Sequence, residues 1–267
     1  MLRKLLKYEF KATGRTFLPL YLVLVIFACI NKLFMVINAS NSGLFLLSIP
    51  ADISRAVYVI LIIGIFVLTF LTMIKRFHKN LLSSEGYLSF TLPVKSWAHI
   101  LCKLITSIVW IIASAVVTFF TIVIIEWSKE FFSTLPQEFW QFIDQANQAV
   151  GMHGYLYVIE FITALLSGLA MSILTIYVAI AIGHLVNSRR RLASIGAFLG
   201  ITFLSQIIPS VCLKFLSLFH IDIWFNQLPP LTMAHWILIG ASVINLVLCA
   251  IYFIVTNYVL NKRLNLN

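Results

Sequence analysis

Apolar residues along this chain come in six long blocks separated by shorter polar intervals. The blocks lie near residues 17–37, 56–74, 104–125, 157–186, 192–213 and 236–258. Each is long enough to carry a helix across a hydrocarbon core, which takes about 20 apolar residues. Bare loop backbone finds no hydrogen-bond partner in hydrocarbon, so the intervals belong in water at the membrane faces or against protein. The pattern predicts an all-α integral membrane protein with six transmembrane helices.

The intervals differ in character. Residues 1–16 read MLRKLLKYEFKATGRT, with Leu2, Leu5, Leu6 and Phe10 at helical spacing against Arg3, Lys4, Lys7 and Lys11. That predicts a basic amphipathic helix lying in the headgroup plane, the alternative being a solvated positive leader that only fixes orientation. A basic stretch before an apolar run also opens a signal peptide, but no A-x-A-like cleavage site follows, and IFAC at 26–29 places the bulky Phe27 where a lipoprotein box does not. In the interval 126–154, Thr134 and Gln137 fit a capping box. Phe139, Phe142, Ile143, Ala146 and Val150 then recur at steps of three and four, which predicts a short amphipathic helix on the membrane surface. Residues 205–235 are too apolar for an ordinary loop and are interrupted by Pro209, Pro229 and Pro230. They fit either a re-entrant or interfacial segment or a plain extension of the fifth helix.

Composition agrees with the class. Of 267 residues 61% are apolar and 10% charged, with mean hydropathy +1.00, where soluble domains carry about 25% charge. The net charge of +10 would suggest nucleic acid in a soluble chain. Here its distribution matters more. Arg3, Lys4, Lys7, Lys11 and Arg15 precede the first block. Lys75, Arg76, Lys79, Lys95 and Lys103 fall between the second and third, Arg189, Arg190 and Arg191 between the fourth and fifth, and Lys262 and Arg263 in the tail. All fifteen share one face of a six-span chain, against Lys32, Arg55, Lys129 and Lys214 for the other. The positive-inside rule therefore predicts a multi-pass protein of the cell membrane with both termini cytoplasmic, binding no nucleic acid.

Recognisable catalytic motifs are missing from the sequence. It has no HExxH, Gly-x-Ser-x-Gly or Walker-type lysine loop. Cys29, Cys102, Cys212 and Cys249 have no metal or disulfide spacing and read as small apolar residues. The six histidines are isolated in sequence and read as solvated or packed side chains. Glu160 is the one acid inside an apolar block. It is a candidate ion or substrate contact because burying a carboxylate without a partner is costly, although its place near the start of the block also allows it to reach water. Asn245 reads as an interhelical hydrogen-bonding residue. Ala164, Gly168 and Ser172 in the fourth block and Gly196 and Gly200 in the fifth form small-residue ridges at which helix backbones approach. No internal repeat of the secondary-transporter kind is present.

The densest turn and charge signals fall at residues 75–103, KRFHKNLLSSEGYLSFTLPVKSWAHILCK. Gly86 permits a sharp backbone turn, and Pro93 stops a helix and holds Leu92 extended. Between them Tyr87, Leu88, Phe90 and Leu92 form an apolar knob rimmed by Glu85 and Lys95. Such a knob suits docking into a groove on a soluble partner, the alternative being a hairpin packed under the protein's own helices.

Glu85, Gly86, Tyr87 and Leu88, running through Ser89, Phe90, Thr91, Leu92 and Pro93 to Lys95, resemble the loop between the second and third helices of type-2 ABC transporter permeases. The form EGYLSFTLPV is similar to that of Firmicute multidrug and peptide exporters. Six spans, an amphipathic start and a broken stretch before the last helix extend the likeness over nearly the whole chain. The resemblance implies a permease subunit of an ABC exporter, not itself an enzyme, that moves an amphiphilic peptide, drug or lipid. It implies two copies of a separate cytoplasmic ATPase carrying ATP and Mg, coupled through residues 85–93, and a second permease subunit, identical or homologous. The chain departs from larger members in lacking an extracellular domain. The competing expectation is a secondary transporter or channel, independent of any ATPase, with Glu160 as its ion site. A non-transporting scaffold or intramembrane enzyme is a third.

Overall fold

The computed structural model describes residues 2–40, 45–82, 94–126, 136–138, 140–141, 144, 148, 154–186, 189–218, 228 and 230–262. The described residues contain no strand and form six long helices: α1 (Leu2–Ser40), α2 (Phe45–Leu82), α3 (Ser96–Glu126), α4 (Gly154–Gly183), α5 (Arg190–Leu218) and α6 (Pro230–Lys262). All six are long and apolar enough to cross a membrane. The chain is an all-α, multi-pass membrane protein.

Nearly every helix outruns its apolar block. A helix satisfies its own backbone, so it continues into the polar interfacial zone where apolarity is no longer required. α1 carries this furthest, because the basic segment and the first apolar run are one helix with no break at residue 16. Pro19 lies inside it, as Pro50 lies inside α2 and Pro209 inside α5. Each removes one i→i−4 bond, a loss that membrane helices accommodate. α4 ends three residues short of its block, at Gly183. There the amides of His184 and Leu185 bond back to Ala181 and Ile182, and His184 Nδ1 donates to the Ile180 carbonyl at 2.8 Å. That ring closes off carbonyls left open by the helix end. α6 opens on Pro230, where the missing N–H costs nothing.

Of the two expectations for 205–235, α5 follows the plain extension as far as Leu218; 219–227 and 229 lie outside the described residues. In the 126–154 interval, Gln137, Glu138, Gln141, Asp144 and Gln148 are helical and exposed. They repeat at steps that would line the polar side of the expected surface helix. Thr134 and the five apolar positions lie outside the described residues.

The chain divides into two compact units, Met1–Lys75 with Ile105–Gln141, and Arg76–Leu104 with Phe142–Asn267. In the first, Phe17, Tyr21, Leu24 and Ala28 of α1 pack with Tyr58 and Ile65 of α2, and Trp110 of α3 closes the cluster. Its ring stacks on Phe17 at 4.6 Å between centroids, while its indole N–H donates to Thr13 at 2.8 Å. One helical turn on, Ser114 is fully buried and joins all three helices: its Oγ lies 2.8 Å from Tyr21 Oη of α1 and 3.2 Å from Thr69 Oγ1 of α2. Lipid is as apolar as leucine, so packing and hydrogen bonds of this kind, rather than the hydrophobic effect, hold helices together inside a bilayer.

In the second unit α4 is the central helix, packed against both α5 and α6. Half of its most apolar window is buried, whereas none of that of α5 is. Tyr177, Val178, Ala179 and Ala181 make its buried core, and α5 leaves many large apolar side chains exposed, among them Leu199, Phe203 and Leu204.

Candidate functional site

The expected coupling residues Glu85, Gly86, Tyr87, Leu88, Phe90, Thr91, Leu92 and Pro93 lie outside the described residues. The two shoulders that carry them are described, and both belong to the second unit. On the α2 side, Phe77 and Leu81 are fully buried. The Phe77 ring lies flat on Tyr177 of α4, 3.9 Å between centroids and 8° from parallel, and His78 meets His184 at 5.0 Å. On the α3 side, Ser96 Oγ donates to Asn261 Oδ1 of α6 at 2.5 Å, and Ala98, His99 and Ile100 are buried. Trp97 faces outward between them, in the manner of an interfacial aromatic. Of the two shoulders, the one on α2 thus packs on α4 and the one on α3 bonds to α6.

At the opposite end of the same unit lies a polar contact between α4 and α6. Glu160, in the second turn of α4, points both carboxylate oxygens at Nδ1 of His235 in α6, at 2.7 and 2.8 Å. The side chains are 16% and 30% exposed, so Glu160 is neither solvated at the surface nor buried alone. Tyr157 and Trp236 flank the imidazole at 5.6 and 5.9 Å. A half-buried carboxylate against a ring nitrogen of a second helix is a charge-assisted hydrogen bond. His235 and His78, isolated in sequence, are thus packed side chains: His235 meets Glu160 of α4, and His78 meets His184 just past the end of α4.

The small-residue ridges part ways. Gly168 faces α6, where an added Cβ would touch Asn245 Nδ2 at 3.7 Å. Cys249 Sγ lies 3.7 Å from the Ser167 carbonyl on the same contact. Ala164 is half-buried beside this contact, and Ser172, an exposed residue, bonds back to Leu169. Gly196 and Gly200 are exposed with nothing within 4 Å of an added Cβ, so they pack no helix among the described residues. The close approach of α4 and α5 occurs instead at Gly183, a position the spacing argument passed over. A Cβ there would collide with Ser194 Oγ and lie 2.6 Å from its backbone.

Family models, curated proteins and solved structures were all compared with this chain. None matches. Among the described residues no group of three or more His, Cys, Asp or Glu side chains is placed to hold a metal. Cys29, Cys102 and Cys249 form no disulfide among the described residues.

Proposed function

We propose that this chain is the membrane-spanning permease subunit of an ABC exporter for an amphiphilic peptide, drug or lipid, lying in the cell membrane with both termini cytoplasmic. It works with a second permease subunit and two copies of a cytoplasmic ATPase, which bind the ATP and Mg. The loop residues Glu85 to Pro93 carry the resemblance. The observation that supports a mechanical role for them is the clamping of their shoulders, Phe77 on Tyr177 of α4 and Ser96 on Asn261 of α6. A push that reaches these shoulders acts on α4 and α6. Nucleotide that binds the two states of the ATPases with different affinity shifts the population of permease states through this linkage.

Affinity purification in mild detergent tests the proposal. A stoichiometric ATPase is expected with the wild-type chain and is expected to be lost when Glu85 and Leu88 are both replaced by Ala. Recovery of the wild-type chain without an ATPase under conditions that keep it folded would overturn it. A second reading, a secondary transporter that uses Glu160 as its ion site, draws support from the Glu160–His235 contact, a half-buried carboxylate paired across two helices. It requires transport in proteoliposomes without any ATPase, abolished by Glu160→Gln.

A further inference from the structure

Within the first unit, a cleft of about 320 Å³ opens where α1 ends, α2 begins and α3 ends. That is within the range of small-ligand sites, about 300–1,000 Å³. Its walls are apolar, from Phe34 and Met35 of α1, Val59 of α2 and Ile122 of α3, and two opposite charges line it: Arg55 and Glu126. Three interhelical bonds frame it. Asn31 Nδ2 donates to the Ser54 carbonyl at 3.2 Å, Lys32 Nζ to the Ile125 carbonyl at 2.9 Å, and Tyr58 Oη to Thr121 Oγ1 at 2.9 Å. Each pair of the three helices is tied once, so the cleft is held open in advance of any ligand.

We propose that this cleft binds a phospholipid with a primary-amine, phosphoethanolamine headgroup. The chemistry follows from the two charges. The Arg55 guanidinium presents a fork of donors that matches a phosphate diester, and the Glu126 carboxylate accepts from an ammonium. Asp52 is the neighbour that competes for Arg55. It stands 3.8 Å away with both side chains about 70% exposed, an arrangement too solvated to hold the guanidinium back. Depth selects a lipid over a free zwitterion. Glu126 ends the span of α3, Arg55 lies one and a half turns inside the start of the α2 span, and the α1 span ends at Ile37, just past Met35. The charges therefore sit at headgroup level. Met35, Val59 and Ile122 are each nearly half exposed and offer acyl chains a path from the cleft to the hydrocarbon. The inference is independent of the transport reading.

The test reconstitutes the full chain in nanodiscs that mix phosphatidylethanolamine, phosphatidylcholine and phosphatidylglycerol in equal parts, and counts retained lipid by native mass spectrometry. Phosphatidylethanolamine is expected to be enriched over each of the others by roughly tenfold. Arg55→Gln, Glu126→Gln and the cleft-filling Val59→Trp are each expected to remove the enrichment; Arg55, Glu126 and Val59 are exposed, so folding is preserved and is checked by monodispersity. Equal retention of phosphatidylcholine, whose ammonium has no N–H to donate, would overturn the role of Glu126. Preference for phosphatidylglycerol would overturn the zwitterionic assignment. Displacement of the lipid by free phosphoethanolamine at equal concentration would overturn the lipid as ligand. Unchanged enrichment in all three variants would place the lipid elsewhere.

Discussion

The contact between Glu160 and His235 makes the firmest quantitative claim in the molecule, because it joins α4 to α6 through side chains 75 positions apart. A hydrogen bond to a charged group contributes about 1.5–3 kcal/mol net, and partial exposure of both side chains puts this one toward the lower end. Glu160→Ala leaves the ring nitrogen facing no acceptor and is expected to cost about 2 kcal/mol. Glu160→Gln keeps an acceptor oxygen in place and is expected to cost about half as much. The decisive quantity is the coupling in a cycle of Glu160→Ala, His235→Ala and the double variant, expected at about 1.5 kcal/mol, within the usual range for residues in contact. Equilibrium unfolding in mixed micelles, monitored by tryptophan fluorescence, measures it. Additivity within about 0.5 kcal/mol, the behaviour of distant sites, would show that the two side chains do not bond and would remove the support for an ion-linked role.

Further outcomes follow from the same packing. Ser114→Ala takes the hydroxyl away from Tyr21 and Thr69 at once and is expected to cost about 1–2 kcal/mol, at or above the upper end for single interhelical bonds in membranes; a loss no larger than that of an exposed serine, such as Ser172→Ala, would refute the three-helix node. Gly183→Ala sets a methyl group into the backbone of Ser194 and is expected to destabilise by about 1–3 kcal/mol, read from the same unfolding curves. By contrast, Gly196→Ala and Gly200→Ala meet open space and are expected to stay within about 0.5 kcal/mol. Phe77→Ala empties a fully buried site beneath Tyr177 and is expected to cost about 3 kcal/mol or more. In a reconstituted complex it is also expected to weaken the response of transport to ATP while the ATPase still copurifies, since it loosens the shoulder and leaves residues 85–93 untouched.

Much of the fold was legible because the solvent imposes it. Hydrocarbon demands an unbroken apolar helix, and six blocks of sufficient length leave little freedom in their number. What apolarity does not encode is where a helix ends once it has left the hydrocarbon. The N-terminal segment illustrates the limit: Leu2, Leu5, Leu6 and Phe10 correctly mark a helical period, but a period is silent on whether Arg15 to Pro19 contains a break, and α1 contains none. Side-chain partnerships between helices were less legible still. Glu160 stood out as an acid among apolar residues. His235 did not stand out, because the turn that brings it to Glu160 is set by the rotation of α6 against α4, and no spacing within either helix records that. Ser114 and Thr69 escaped notice for a different reason. A hydroxyl that bonds to its own helix, as both do, looks the same in sequence whether it faces lipid or a neighbouring hydroxyl.

The same distinction explains why the two small-residue ridges, alike in sequence, have different surroundings. Close approach requires a small residue on one helix and a partner whose side chain fills the gap. Gly168 has that partner in Asn245, and Gly183 has one in Ser194. Gly196 and Gly200 have none among the described residues, and they lie on the helix whose apolar window contains no buried residue, whereas half of that of α4 is buried. A smooth face of this kind on α5 loses nothing against lipid, since lipid chains conform to any relief. Interhelical stability in the second unit is therefore concentrated on α4, whose faces meet both α5 and α6 and whose ends hold the Phe77 stack and the Glu160 pair. A substitution that disturbs α4 acts on both ends of the unit, whereas one on the outer face of α5 is absorbed locally. That asymmetry makes α4 the element shared by the Phe77 stack at one end of the unit and the Glu160–His235 pair at the other.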